Sequence, residues 1–167
     1  AVNDVAGVKN YLNNKAVTTT TPGGITFTVN ADKTVTANGT ATADTSLAWN
    51  IGKLPKGKYT LSGCPAGGSE SKYLIRLGYT DDPTVTWGTF VKNDTGSGFD
   101  FEVTDADVNK LYTVALRIVN GYTANNLLFK PMIRLAADPD SGYIPFAMSN
   151  QQLTGSAEDQ KTAINAI

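Results

Sequence analysis

The sequence predicts an all-β protein, an antiparallel β-sandwich with short helical segments at both ends. Three observations carry that prediction. The stretch from Gly24 to Thr40 alternates apolar residues with Thr, turns at Asn30-Ala31-Asp32-Lys33, and alternates again. This is the pattern of a β-hairpin with one dry face and one wet face. Strand-like runs then recur at short spacing, separated by breaks rich in Gly, Pro, Asn and Asp. No helix of ordinary length fits between those runs, which argues against a parallel sheet built from alternating strands and helices. The 167 residues, 41% of them hydrophobic, suit one domain with a substantial core.

Taken in order, residues 1–16 show weak helical spacing at Val2, Val5, Val8 and Leu12, interrupted by Gly7 and an Asn-rich stretch. They are read as a short helix or extended lead-in that reaches residue 21. The sandwich module spans 22–148. Strands are expected over 25–29, 33–40, 46–52, 58–63, 72–79, 85–91, 98–103, 111–119 and 126–135. Period two puts Leu47, Trp49 and Ile51 on one face, and Tyr112, Val114, Leu116 and Ile118 on a dry row. It sets Tyr73, Ile75, Leu77 and Tyr79 opposite Leu74, Arg76 and Gly78. The runs 72–79 and 111–119 are apolar on nearly both sides and are expected centrally in a sheet. Asp105 to Lys110 is expected to form a single helical turn after Thr104. Pro131 cannot donate to a ladder, so the last strand should lie at an edge or carry a bulge there. Tyr143 and Phe146 are expected to close the end of the sandwich. From Ser156 a capping box and helical spacing to Ile167 predict the start of a linker or stalk helix over 149–167. A chain starting at Ala1 and stopping in mid-pattern reads as a segment of something longer.

Composition narrows the chemistry. There is no histidine, which excludes Ser-His-Asp and Cys-His nucleophilic arrangements and removes the commonest metal ligand. The single cysteine, Cys64, cannot form an internal disulfide, and its Gly63-Cys64-Pro65 setting suggests a small semi-buried hydrophobe. A net charge of −1 offers no basic surplus for nucleic acid or an anionic membrane, and no apolar run nears the ~20 residues that span a bilayer. The carboxylate pairs Asp81/Asp82, Asp105/Asp107 and Asp138/Asp140 all fall in turns, where aspartate caps backbone, rather than across a cleft as in a glycosidase. The chain is therefore read as no enzyme and as needing no cofactor. Calcium is the one ion the turn aspartates suit, although no spacing matches an EF-hand.

Binding residues are sought among exposed aromatics and fixed polar groups, because sugars stack on aromatic faces. Trp87 and Tyr79 flank the loop that contains Asp81, and Tyr122 follows the Asn120-Gly121 turn. Trp87 is the best platform candidate, whereas Trp49 is read as core. Arg76, Arg117 and Arg134 all lie inside expected strands, while the 11 lysines fall mostly in turns or at element ends. A mid-strand arginine favours fixed bidentate contacts over mere solubility. The arginines could pair with carboxylates such as Asp100 or Glu102, or Arg76 and Arg117 could line a shallow polyol or anionic-sugar site. The candidate ligand-binding set is Trp87, Tyr79, Tyr122, Arg76, Arg117 and Asp81.

Three strings carry a resemblance: Gly24-Ile25-Thr26-Phe27-Thr28-Val29-Asn30 with Thr34 to Thr40, Leu54-Pro55-Lys56-Gly57-Lys58-Tyr59-Thr60-Leu61-Ser62-Gly63-Cys64-Pro65, and Phe129-Lys130-Pro131-Met132-Ile133-Arg134 with Tyr143-Ile144-Pro145-Phe146. Over roughly residues 10–148 they resemble modules in phage and prophage tail proteins of Gram-positive gut bacteria. They are similar, more distantly, to jelly-roll carbohydrate-binding modules. The resemblance implies a jelly-roll-like sandwich and a virion-tail, extracellular setting in a tail fibre or baseplate. It further implies other tail subunits as partners, a homo-oligomer with a trimer favoured, and contact with a bacterial cell-surface glycan. It transfers no ligand residues. A purely structural spacer or trimerisation module is the alternative expectation, and an accessory carbohydrate-binding domain of a secreted cell-wall enzyme is a further one.

Overall fold

The computed structural model describes residues 8–146. Among the described residues there are ten antiparallel strands: β1 (Ile25–Val29), β2 (Val35–Thr40), β3 (Thr45–Gly52), β4 (Gly57–Ser62), β5 (Tyr73–Thr80), β6 (Thr89–Asp94), β7 (Phe99–Val103), β8 (Leu111–Ile118), β9 (Thr123–Phe129) and β10 (Met132–Leu135). Sheets β1-β2-β9 and β10-β4-β7 form one layer, because β9 and β10 are two halves of one long run broken at Lys130-Pro131. The other layer is the four-stranded sheet β3-β8-β5-β6. From β2 to β9 the chain changes layer at every connection except the β5–β6 hairpin, which is a jelly-roll path. Aromatic contacts join the layers: Tyr73 meets Phe129 at 6.1 Å between ring centroids, and Phe101 meets Tyr112 at 6.1 Å.

Period-two patterning explains the core. β3 alternates strictly between buried and half-buried residues, with Leu47, Trp49 and Ile51 inward. The inward rows of β5 and β8 meet it, and both strands are central, as their two-sided apolar character predicts. In the β1–β2 hairpin Ile25, Phe27, Val35 and Ala37 are buried, while threonines cover the outer face.

Each half of the long last strand is the terminal strand of its sheet, as Pro131 predicts. The run pairs first with β2 and then with β4, changing partner at the proline. Pro131 has no N–H to leave unpaired, and Lys130 donates its own to the Gly63 carbonyl at 2.9 Å. The crossing is so close that a Cβ on Gly63 would collide with the Lys130 carbonyl. The expected helical turn after Thr104 is a pair of hydrogen-bonded turns, held by Asp107 accepting from the Thr104 backbone and hydroxyl at 2.9 and 2.8 Å.

Residues 8–16 contain no helix; they form an extended strap. Leu12 and Val17 are buried in the core, Tyr11 N–H donates to the Ile133 carbonyl, and Trp49 Nε1 donates to the Asn13 carbonyl at 2.9 Å. Buried Asn10 accepts from Leu12 and Ile133 N–H and donates to the Ile144 carbonyl, tying the strap to both β10 and the closing segment. Tyr143 closes that end by donating to the Asp32 carbonyl at 2.7 Å. Residues 1–7 and the expected helix over 149–167 lie outside the described residues.

Candidate functional site

The outward row of the four-stranded sheet is built from register. Ser46, Arg117 and Leu74 lie side by side; the next line is Ala48, Ala115, Arg76 and Asn93, and the next Asn50, Thr113, Gly78 and Phe90. Thr113, Gly78 and Leu74 are buried, so solvent reaches the face chiefly along the half-buried line of Ala48, Ala115 and Arg76 and at half-buried Asn50. Gly78 is required there: a Cβ would meet the Thr89 carbonyl at 2.8 Å and the Thr113 hydroxyl at 3.1 Å.

The loop 81–88 bounds this face. Asp82 Oδ1 accepts from Thr84 N–H and hydroxyl at 2.9 and 2.7 Å, and Val85 N–H donates to the Asp82 carbonyl. Asn50 Nδ2 reaches the Val85 carbonyl at 3.5 Å, so the loop returns toward β3 across the line ending at Phe90. Those turns displace the strand expected over 85–91; β6 starts at Thr89 and runs on through Asn93 and Asp94. Trp87 is thereby left on the loop with 73% of its surface exposed, and Phe90 beside it is 49% exposed.

The two arginines on this face differ. Arg117 is paired with Asp44 at 2.9 Å, not with Asp100 or Glu102. Asp100 instead accepts from the Thr60 hydroxyl at 2.6 Å. Arg76 sits over the Phe90 ring at 4.9 Å and makes no hydrogen bond or ion pair among the described residues. Its cross-strand neighbour Asn93 donates to Glu70 at 3.5 Å, and its side-chain oxygen is buried with no partner. Arg134, on β10 in the other layer, donates to the Asp138 carbonyl at 3.4 Å.

Of the six residues singled out from sequence, Arg76 and Arg117 share the outward face, and Trp87 belongs to its bounding loop. Asp81 is exposed at the start of that loop. Tyr79 and Tyr122 are not part of the site. Tyr79 projects from the opposite side of β5, where Lys110 Nζ sits 3.9 Å from its ring centre. Tyr122 packs against Tyr73 at 5.4 Å between centroids. Sequence reasoning missed Asn50, Phe90 and Asn93, although their outward positions follow from the same period-two reading once β6 is placed.

Other polar groups are committed to the fold. Asp94 is 1% exposed and accepts backbone N–H from Gly96 and Gly98, both at 2.8 Å, and from Cys64 at 3.1 Å. Burial, and secondarily the Asp94 charge, push the Cys64 thiol up to about 12, so the sulfur is held as an inert thiol. The Lys110 ammonium, with added hydrogen bonds from Thr104, holds Asp107 well below the usual carboxylate range. A depression of about 380 Å³ in the other layer is lined by Gly63, Gly98, Lys130, Asp140 and Tyr143 among others. There Asp140 accepts from Gly142 N–H and Tyr143 donates to Asp32, so both are already in use. Among the described residues no three His, Cys, Asp or Glu gather to hold a metal, and no helix is long and apolar enough to cross a membrane.

No protein-family model and no curated protein matches the chain. Among solved structures, one chain from the crystal structure of accessory secretory protein 1, 2 and 3 in Streptococcus pneumoniae is similar, with 15% identity and a TM-score of 0.45 over 76% of this chain and 94% of that one. That likeness is too slight to carry a function across.

Proposed function

We propose that this chain is a non-catalytic module of a phage tail or fibre protein that recognises carbohydrate on a bacterial surface. The outer face of the four-stranded sheet would be its binding surface. The observation that carries the binding reading is the half-buried line of Ala48, Ala115 and Arg76, with Asn50 and the exposed rings of Phe90 and Trp87 nearby. A flat, fixed sheet with edge aromatics and a few polar groups suits an extended sugar chain. The tail setting rests on the sequence resemblance in the opening hairpin and the Lys130-Pro131-Met132-Ile133 ending. The absence of histidine and the use of turn aspartates as backbone acceptors fit a binding role better than a hydrolytic one. A glycan array probed with an artificially tetramerised form of the protein tests the reading, because avidity amplifies weak single-site contacts. Binding to a restricted set of bacterial glycans is expected; no binding to any of them removes the recognition role.

The spacer reading draws on the opposite layer. Its outer face is rich in threonines, some of them tied to neighbours on the same face, as in Thr40 with Thr123 at 2.8 Å and Asn30 with Thr34 and Thr36. Such a surface suits packing between subunits or inert exposure. Light scattering on the full chain and on a version without residues 149–167 measures oligomer formation independently of glycan binding.

A further inference from the structure

We infer that the sheet face reads an acidic group on its ligand, a carboxylate or phosphate carried by a surface polysaccharide, and that Arg76 is the residue that reads it. The inference rests on the recognition reading above and narrows it. Mid-sheet arginine is an expensive choice for mere solubility, and the other two arginines are occupied: Arg117 by Asp44 and Arg134 by the Asp138 carbonyl. Arg76 alone of the three has no oxygen partner among the described residues, although Glu70 is close enough to bond its neighbour Asn93. The guanidinium sits over the Phe90 ring, 4.9 Å from its centre, in a cation–π contact that restrains it. None of its N–H donors is spent on a protein oxygen among the described residues, so the guanidinium keeps its fork for a bidentate oxyanion. Beside it on the same line Ala48 and Ala115 carry only methyl groups, which leave room for the ring that would bear the acid. The chain's net charge of −1 offers no general attraction for polyanions, so acid selectivity must come from this one fixed group.

The test is binding of the full chain to three polymers of matched length: a uronate oligosaccharide, a polyol-phosphate polymer and a neutral glucan. Arg76→Ala, Arg76→Lys and, as a remote charge control, Lys130→Ala are measured alongside, with circular dichroism to confirm folding. The inference expects at least one acidic polymer to outbind the neutral one. It expects Arg76→Ala to weaken that binding about tenfold or more, the scale of one charged hydrogen-bond pair. Arg76→Lys should recover little, because a point charge lacks the fork, and Lys130→Ala should match the parent. The two acidic arms separate carboxylate from phosphate. Equal binding of neutral and acidic polymers, unchanged in Arg76→Ala, overturns this inference while leaving glycan recognition standing. Binding of none of the three, together with an empty glycan array, overturns both.

Discussion

Asp94 shows how one side chain can hold a junction. It sits at the end of β6 and gathers N–H groups from the Cys64 loop and from the β6–β7 turn, and all three would lose their partner if the carboxylate were removed. Asp94→Ala should lower unfolding stability by about 3 kcal/mol or more, read from urea midpoints, since buried donors left unpaired cost ~1–3 kcal/mol each. The Asp-x-Gly-x-Gly spacing of Asp94, Gly96 and Gly98 was a readable sign of this turn, yet Asn93-Asp94 look like loop rather than strand by propensity. Cys64 beside it is silenced by burial. Its folded value is raised from 9.0 to about 12, so the folded chain keeps a proton that the unfolded chain releases. The stability this contributes is complete below pH ~9 and drains away as pH rises toward 12. A thiol-reactive dye at pH 8 should label the native protein slowly and the urea-unfolded protein at once; fast native labelling would show that the sulfur is open to solvent.

At the scale of elements, the strap over residues 8–17 behaves as part of the sandwich. Leu12 is fully buried, so Leu12→Ala should cost about 2–5 kcal/mol, comparable to a core strand position, by chemical denaturation. A loss below ~0.5 kcal/mol would mean that the strap is only laid on the surface. This packing was not legible in the sequence, because its bonds are distant: Asn10 reaches Ile133 and Ile144. Eight of the nine expected strand runs were legible because half-buried strands alternate, and their inward rows follow directly. The last run divided at Pro131, where the sequence offered a bulge or an edge; the fold took the edge and used the missing N–H to change partners. The run at 85–91 misled, since Val85, Thr86 and Trp87 have strand composition while the Asp82–Thr84 turn and the Asn50 bond hold them as a loop.

For the whole molecule, the jelly-roll path leaves two outer faces of opposite character. One is rich in threonine; the other carries alanines beside an arginine with no oxygen partner among the described residues, and exposed rings. Arg76, Arg117 and Trp87 could be found by residue type and strand position, but which arginine is free depends on Asp44, 73 residues from its partner, and no local pattern reveals that. Tyr79 was separable from the site by the same alternation that turns Arg76 outward. Stability of the assembly should also fall in acid. Asp107 and, through bonds to Thr34 and Thr84, Asp32 and Asp82 have lowered folded values, so the stability they contribute is present above the ordinary aspartate value and lost as pH falls below it through the lowered folded values. Asp107→Asn should flatten the acid limb of a melting-temperature profile. The central claim is that the outer face of the four-stranded sheet is where a surface glycan binds. Two-dimensional amide NMR of the isotope-labelled chain, titrated with the strongest ligand from the glycan array, tests it most directly. The account predicts shifts concentrated at Ala48, Asn50, Arg76, Trp87, Phe90 and Ala115; shifts confined to the threonine face or to the Gly63–Lys130 depression would contradict it.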